Sequence, residues 1–166
     1  MFRGEFDLKV DAKGRVSIPS KFCRVIEACD PEWSEGKRAN FVIVYGVENQ
    51  CWLECHSVEG IREIEERIDL LQEGSPEHED FVAKYISYAQ DMQIDEDGRI
   101  VLPQKLRDRL GLDEDGRALF VSKGKHFEIW DRAKYEALKH ADVRARAEER
   151  GPGFNLIVNL PKLPQR

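Results

Sequence analysis

The sequence predicts an α+β fold in which two related halves build one compact, barrel-like core, joined by a helical hairpin and followed by a C-terminal helix. Three observations carry that prediction. Residues 8–26 read LKVDAKGRVSIPSKFCRVI and residues 92–110 read MQIDEDGRIVLPQKLRDRL, which is an internal repeat. Within each copy, apolar and polar residues alternate around a glycine turn, the pattern of half-buried strands. Between the copies, the apolar spacing lengthens to that of a helix.

The repeat is specific in its details. Asp11 matches Asp95, Gly14 matches Gly98, Arg15 matches Arg99, Pro19 matches Pro103 and Lys21 matches Lys105. Apolar positions face apolar ones, Val10 against Ile94, Val16 against Ile100 and Phe22 against Leu106. Asp11-Ala12-Lys13-Gly14 reads as a tight turn, because aspartate can accept from downstream backbone amides and glycine can take a positive φ. Pro19 then closes the strand and suits the first turn of a short helix over 19–26. Each copy is therefore strand, turn, strand, helix.

Taken in order, residues 27–40 are polar and carry Asp30-Pro31 and Gly36, a loop. Phe41 to Tyr45 reads as an apolar strand and Cys51 to Cys55 as its return, a hairpin matched in the second half by Ala118 to Val121 and His126 to Trp130. Ile61, Ile64, Ile68 and Leu71 give a helix over 59–73. Ser75 as N-cap and Pro76 at the first position start another, predicted to run to about Gln90 with Phe81, Val82, Tyr85, Ile86 and Ala89 inward. Asp131 is the expected cap of a third helix ending at Gly151-Pro152. For the tail, Phe154 to Arg166, two readings stay open: Leu156 to Val158 adds a strand to a neighbour, or the whole segment is disordered. The expected domains are a first repeat over 7–54, a helical connector over 55–90, a second repeat over 91–134, and a helix with tail over 135–166.

Composition narrows the function. The 166 residues carry a net charge of −6, which argues against non-specific coating of DNA. The distribution matters more. Lys9, Lys13, Arg15, Lys21 and Arg24 surround the first motif, whereas residues 59–80 are rich in glutamate and aspartate. With no apolar leader and no run of membrane-spanning length, the reading is a cytoplasmic protein with reduced thiols at Cys23, Cys29, Cys51 and Cys55.

Three function classes can be set against these residues. A metal site at Cys51, Cys55 and His56 fails on spacing, since two strand positions four apart stand about 13 Å from each other at roughly 3.3 Å per residue. The acidic run at Asp91, Asp95, Glu96 and Asp97 could suggest a magnesium nuclease, but its first-repeat counterpart is Ala12-Lys13, so related turns would need opposite chemistries. No nucleophile set, phosphate loop or metal helix stands out, and the reading is no enzyme, no cofactor and no small-molecule substrate. Nucleic-acid binding fits the basic motif better. A guanidinium at Arg15 can hold guanine O6 and N7 bidentately in the major groove, with Lys13 and Arg3 on phosphates or adjacent base edges. In the second motif Glu96 and Asp97 would repel a phosphate backbone, so Asp95 and Arg99 are read as bracing their turn. A third class, a partner-binding assembly, would instead use the acidic helices.

Met1-Phe2-Arg3-Gly4, the motif DAKGRVSIP and the second motif DEDGRIVLP together resemble the MraZ family, bacterial regulators of the division and cell wall gene cluster within the AbrB-like (SpoVT-AbrB) swapped-hairpin DNA-binding superfamily. The resemblance spans roughly residues 1–145. It implies two tandem swapped-hairpin repeats forming one pseudo-dimeric β-barrel core, with Asp11, Gly14, Asp95, Gly98 and Arg99 as motif residues. It also implies a nucleoid-associated, ring-shaped homo-oligomer, away from any membrane, that engages short G-rich direct repeats on double-stranded DNA and represses its own operon.

Overall fold

The computed structural model describes residues 1–113 and 115–164; the end of the predicted tail, Gln165 and Arg166, lies outside the described residues. The chain is mixed α and β and divides into two compact units, Met1–Arg132 and Ala133–Arg166. In the first unit the strands are β1 (Glu5–Lys9), β2 (Arg15–Ser17), β3 (Asn40–Val44), β4 (Trp52–Ser57), β5 (Ala89–Gln93), β6 (Arg99–Val101), β7 (Arg117–Ser122) and β8 (His126–Asp131). Helices α1 (Ser20–Ala28) and α4 (Gln104–Leu110) follow the two motifs, and α2 (Val58–Ile68) and α3 (Pro76–Val82) lie between the repeats. Pro19 and Pro103 stand at the N-cap positions of α1 and α4, one residue earlier than the sequence spacing places the proline.

Antiparallel pairing builds an open six-stranded sheet, in the order β1, β7, β8, β4, β3, β5. Strands cross between the repeats: β1 of the first lies on β7 of the second, and β5 of the second lies on β3 of the first. The strands β2 and β6 leave the sheet and pair only with each other, Arg15 opposite Val101 and Ser17 opposite Arg99. The expected closed barrel is therefore corrected to an open sheet plus a two-stranded ribbon. The aspartate turns redirect the chain after Val10 and Ile94, and the three-residue strands that follow pair with each other across the repeats instead of with the edges of the large sheet. Repeat-equivalent residues Val16 and Ile100 sit opposite one another at the centre of the ribbon. An internal two-fold relation follows from that pairing.

One face of the sheet carries the core. Phe22 is fully buried and meets Phe2, Phe6 and Phe127 at ring separations of 5.2, 5.3 and 4.8 Å, and Ile26, Leu102, Leu106 and Leu110 close around them. The other face is a ladder between β4 and β8. Trp52 stacks on Trp130 at 4.9 Å and His56 on His126 at 4.9 Å, with Glu54 opposite Glu128 between them. Buried Glu54 accepts from Lys84 Nζ at 2.7 Å and lies 3.4 Å from His56 Nε2. Burial pushes its carboxyl up, but His56 and Lys84 together outweigh burial and hold it down at about 2.

Between the repeats, Ser57 caps α2 through Gly60 N and Ser75 caps α3 through His78 N. The second connector helix stops short of the predicted Gln90. It ends in a π turn over Ala83–Ser87, because Ala89 and Gln90 are drawn into ladder pairing with Val44 and Ile43. Phe81 and Ile86, expected inward, are exposed. In the second unit, a π turn (Glu136–His140) leads into α5 (Ala141–Arg150), with Glu136 bonded to His140 and Arg144. Gly151 ends α5, and Leu156–Asn159 forms a short 3-10 turn with exposed side chains rather than a strand. Among the described residues no helix is long and apolar enough to cross a membrane.

Candidate nucleic-acid interface

Two turns stand at opposite ends of the ribbon. In the first, Gly14 N donates to Asp11 O at 2.9 Å and Asp11 N to Arg15 O at 3.0 Å, closing a tight hairpin. Asp11 Oδ1 accepts from the amides of Lys13 and Arg15, each at 2.9 Å, and Oδ2 accepts from Arg15 Nε at 2.7 Å. Those bonds, led by the Arg15 amide and then its guanidinium, hold the Asp11 carboxyl below the usual range. With Nε tied back, the terminal nitrogens of Arg15 take no hydrogen bond among the described residues, and its side chain is about half exposed. That leaves a forked donor pair on a stem fixed at Nε. Lys13, at the tip, is exposed and makes no ion pair among the described residues.

Gly14 has φ +85°, and a Cβ there would stand 2.3 Å from Leu102 O and 3.0 Å from Arg107 Nε. The turn thus lies against the second repeat. Leu102 N donates to Gly14 O at 2.8 Å. Arg107, on α4, donates from Nε to Leu102 O at 3.1 Å and from Nη1 to Ala12 O at 3.0 Å.

The second turn repeats the backbone scheme with a different surface. Asp95 Oδ1 accepts from Asp97 N at 2.9 Å and Arg99 N at 2.8 Å, and the Arg99 amide leads in lowering its carboxyl. Arg99 turns its Nη2 to Asp97 at 2.9 Å, with Nε 3.7 Å from Asp95. Glu96 is taken by Arg38 at 2.9 Å. So the first turn shows a guanidinium and a lysine, and the second shows carboxylates paired with cations. In place of Arg107 it has Cys23, whose Sγ donates weakly to Ile18 O at 3.6 Å and lies 3.8 Å from where a Gly98 Cβ would be.

Lys13 and Arg15 come together at one turn; Arg3 does not join them. It is exposed at the far end of β1, next to Phe2, whose amide donates to Gly124 O. Sequence reading missed Arg107 and Arg38, both of which act across the repeats. The available signal for Arg107 was its place opposite Cys23 in the aligned copies. No group of three or more His, Cys, Asp or Glu side chains among the described residues is arranged to hold a metal ion.

Comparison with known proteins adds an independent line. A family model described as "MraZ protein, putative antitoxin-like" matches residues 86–151. The chain is 44% identical over 159 residues to the transcriptional regulator MraZ of Ruegeria pomeroyi, covering 96% of this chain and 94% of that protein. It is 45% identical over 141 residues to the protein of the same name from Cereibacter sphaeroides, covering 82% and 83% of the two chains. With that of Acetivibrio thermocellus it shares 35% over 137 residues, covering 82% and 85%.

Proposed function

Because the chain belongs to the MraZ family of transcriptional regulators, we propose that it is a sequence-specific double-stranded DNA-binding regulator that represses its own division and cell wall operon. The family is one of regulators and not of enzymes, which removes the nuclease reading. The observation that carries the proposal is Arg15. Its Nε is fixed by Asp11 at 2.7 Å and its half-exposed side chain keeps two terminal nitrogens without a hydrogen bond among the described residues, a donor pair of the kind that matches guanine O6 and N7. Lys13 at the tip supplies phosphate contact, and Arg3, at the other end of β1, supplies a separate backbone contact. The second turn, with Glu96 and Asp97, keeps away from phosphate.

In this reading the first repeat occupies 7–54, the connector 55–90, the second repeat 91–134 and the helix with tail 135–166. The crossing of β1 onto β7 and β5 onto β3 supports a swapped-hairpin pair of AbrB type. The protein acts as a ring-shaped homo-oligomer in the cytoplasm at the nucleoid, engaging several short G-rich direct repeats at once. Exposed Phe81 and Ile86 on the connector provide apolar surface for a neighbouring copy. Avidity is what makes an acidic binder workable, since weak single sites multiply when several are held together.

The test is fluorescence anisotropy of the protein and of Arg15→Ala on a duplex from its own upstream region and on a scrambled duplex, at two salt concentrations. Arg15→Ala is expected to lose the preference while staying folded, at roughly 1 to 3 kcal/mol per engaged site. Equal preference in the two proteins would transfer the function to the connector surface and to a protein partner.

A further inference from the structure

We propose that Arg107 is a positioning residue for sequence reading: it holds the first turn in register from the opposite repeat, without itself touching DNA. The inference rests on the reading of Arg15 given above.

The geometry is a clamp. Arg107 stands 95 residues from Ala12 in the chain, yet its guanidinium bridges two carbonyls, Leu102 O at 3.1 Å through Nε and Ala12 O at 3.0 Å through Nη1. Ala12 lies inside the turn, between Asp11 and Lys13, and Leu102 directly follows β6 and donates its amide to Gly14 O. One planar fork therefore ties the tip-side backbone of the turn to the second repeat. The contact is close, for Gly14 leaves only 3.0 Å between a would-be Cβ and Arg107 Nε. Asp11 fixes the side chain of Arg15, and Arg107 fixes the backbone from which that side chain departs.

The internal two-fold supplies the control. At the second turn the equivalent contact is Cys23 Sγ to Ile18 O at 3.6 Å, which mirrors Arg107 to Leu102 O; Arg38 reaches that turn from the first repeat, but it bonds the Glu96 carboxylate at 2.9 Å, and among the described residues no side chain bonds the Glu96 carbonyl as Arg107 bonds that of Ala12. The backbone clamp is present where the turn is basic, whereas the acidic turn is held only through an exposed side-chain ion pair. A purely architectural brace would take the same form at both ends of a symmetric ribbon. Positional accuracy is wanted only where a side chain must meet base edges, because a displacement of about 1 Å spoils a bidentate contact.

The experiment compares the full-length wild type, Arg107→Met, Arg107→Lys and Arg15→Ala. Each is measured on the protein's own upstream duplex and on a scrambled duplex across a salt series. Amide hydrogen exchange at Lys13, Gly14 and Arg15 is followed in the DNA-free protein. Expected for Arg107→Met are faster exchange confined to the first turn and a preference reduced by about fivefold or more, with an unchanged salt slope. Arg107→Lys keeps the charge but offers no fork, so it recovers only part of the preference. A uniform loss of affinity on both duplexes with a shallower salt slope would make Arg107 a phosphate contact and overturn the proposal. So would a folded Arg107→Met with wild-type preference beside an Arg15→Ala that has lost it. If Arg15→Ala keeps its preference, the fault lies in the DNA reading of the turn itself, and the exchange data still report whether the clamp orders it. If Arg107→Met does not fold, Arg107→Lys carries the same comparison.

Discussion

Alanine at Gly14 and alanine at Gly98 make a matched pair, since the two glycines occupy equivalent turns with φ of +85° and +75°. Both substitutions force a side chain into the left-handed region, at about 1 to 2 kcal/mol each. They differ in what the new methyl meets. At Gly98 the nearest atom is Cys23 Sγ at 3.8 Å, ordinary contact, so Gly98→Ala should cost about 1 to 2 kcal/mol in all. At Gly14 the methyl would fall 2.3 Å from the Leu102 carbonyl oxygen, a backbone atom that cannot step aside without moving the ribbon. Overpacking of that kind adds roughly 1 to 3 kcal/mol, for a total of about 2 to 5 kcal/mol. Urea unfolding of the two variants, with equal slopes, measures the difference directly. Costs equal within about 0.5 kcal/mol would refute the claim that the first turn is seated against the second repeat. The same displacement moves Arg15, so Gly14→Ala should also lose preference for the upstream duplex while Gly98→Ala keeps it.

Acid should expose the role of Glu54. Its carboxyl is held at about 2 against an ordinary 4.5, so the stabilisation is complete above about pH 4.5 and is lost as pH falls through 2. The advantage of wild type over Glu54→Gln in unfolding free energy from urea titration, on the order of 3 kcal/mol near neutrality, should shrink steadily below pH 4.5; a constant gap would contradict the assignment. Trp130 is almost fully buried and stacked on Trp52, and Trp130→Ala should cost about 3 to 5 kcal/mol, read as a fall in thermal midpoint. Lys13→Ala should flatten the salt dependence of binding by about one phosphate while leaving preference for the upstream duplex in place.

Much of the local architecture was legible because its determinants are local. The Asp-x-x-Gly turns, the alternation in Val16 and Ile18, and the Ser75-Pro76 helix start each depend on residues within one turn of chain. The repeat itself announced two equivalent halves. What could not be read was anything that depends on which distant strand becomes the neighbour. Ala89 and Gln90 carry a helix-compatible pattern, and only the waiting edge of β3 turns them into strand. The open sheet in place of a barrel has the same origin, since three-residue β2 and β6 look like any other strands until their partners are known. At the candidate interface, Asp11, Lys13 and Arg15 were visible as a cluster along the chain. The Arg107 fork was not, because its partners Ala12 and Leu102 lie on both sides of the connector.

The crossing of β1 onto β7 also governs the order in which the protein can come into being. Asp7 meets Arg117 across a separation of 110 residues, and the first turn rests on β6 and on α4, both made late. At a synthesis rate of about 5 to 20 residues per second, β1 waits on the order of 5 to 20 s for its partner strand to be made. During that wait its edge and the apolar side of the first repeat have no second repeat to cover them. Pairings of such long range make for slow folding. A nascent chain released before β6 holds every residue of the first motif and none of the surface that shapes it, so such truncated products lack the contacts that order the turn.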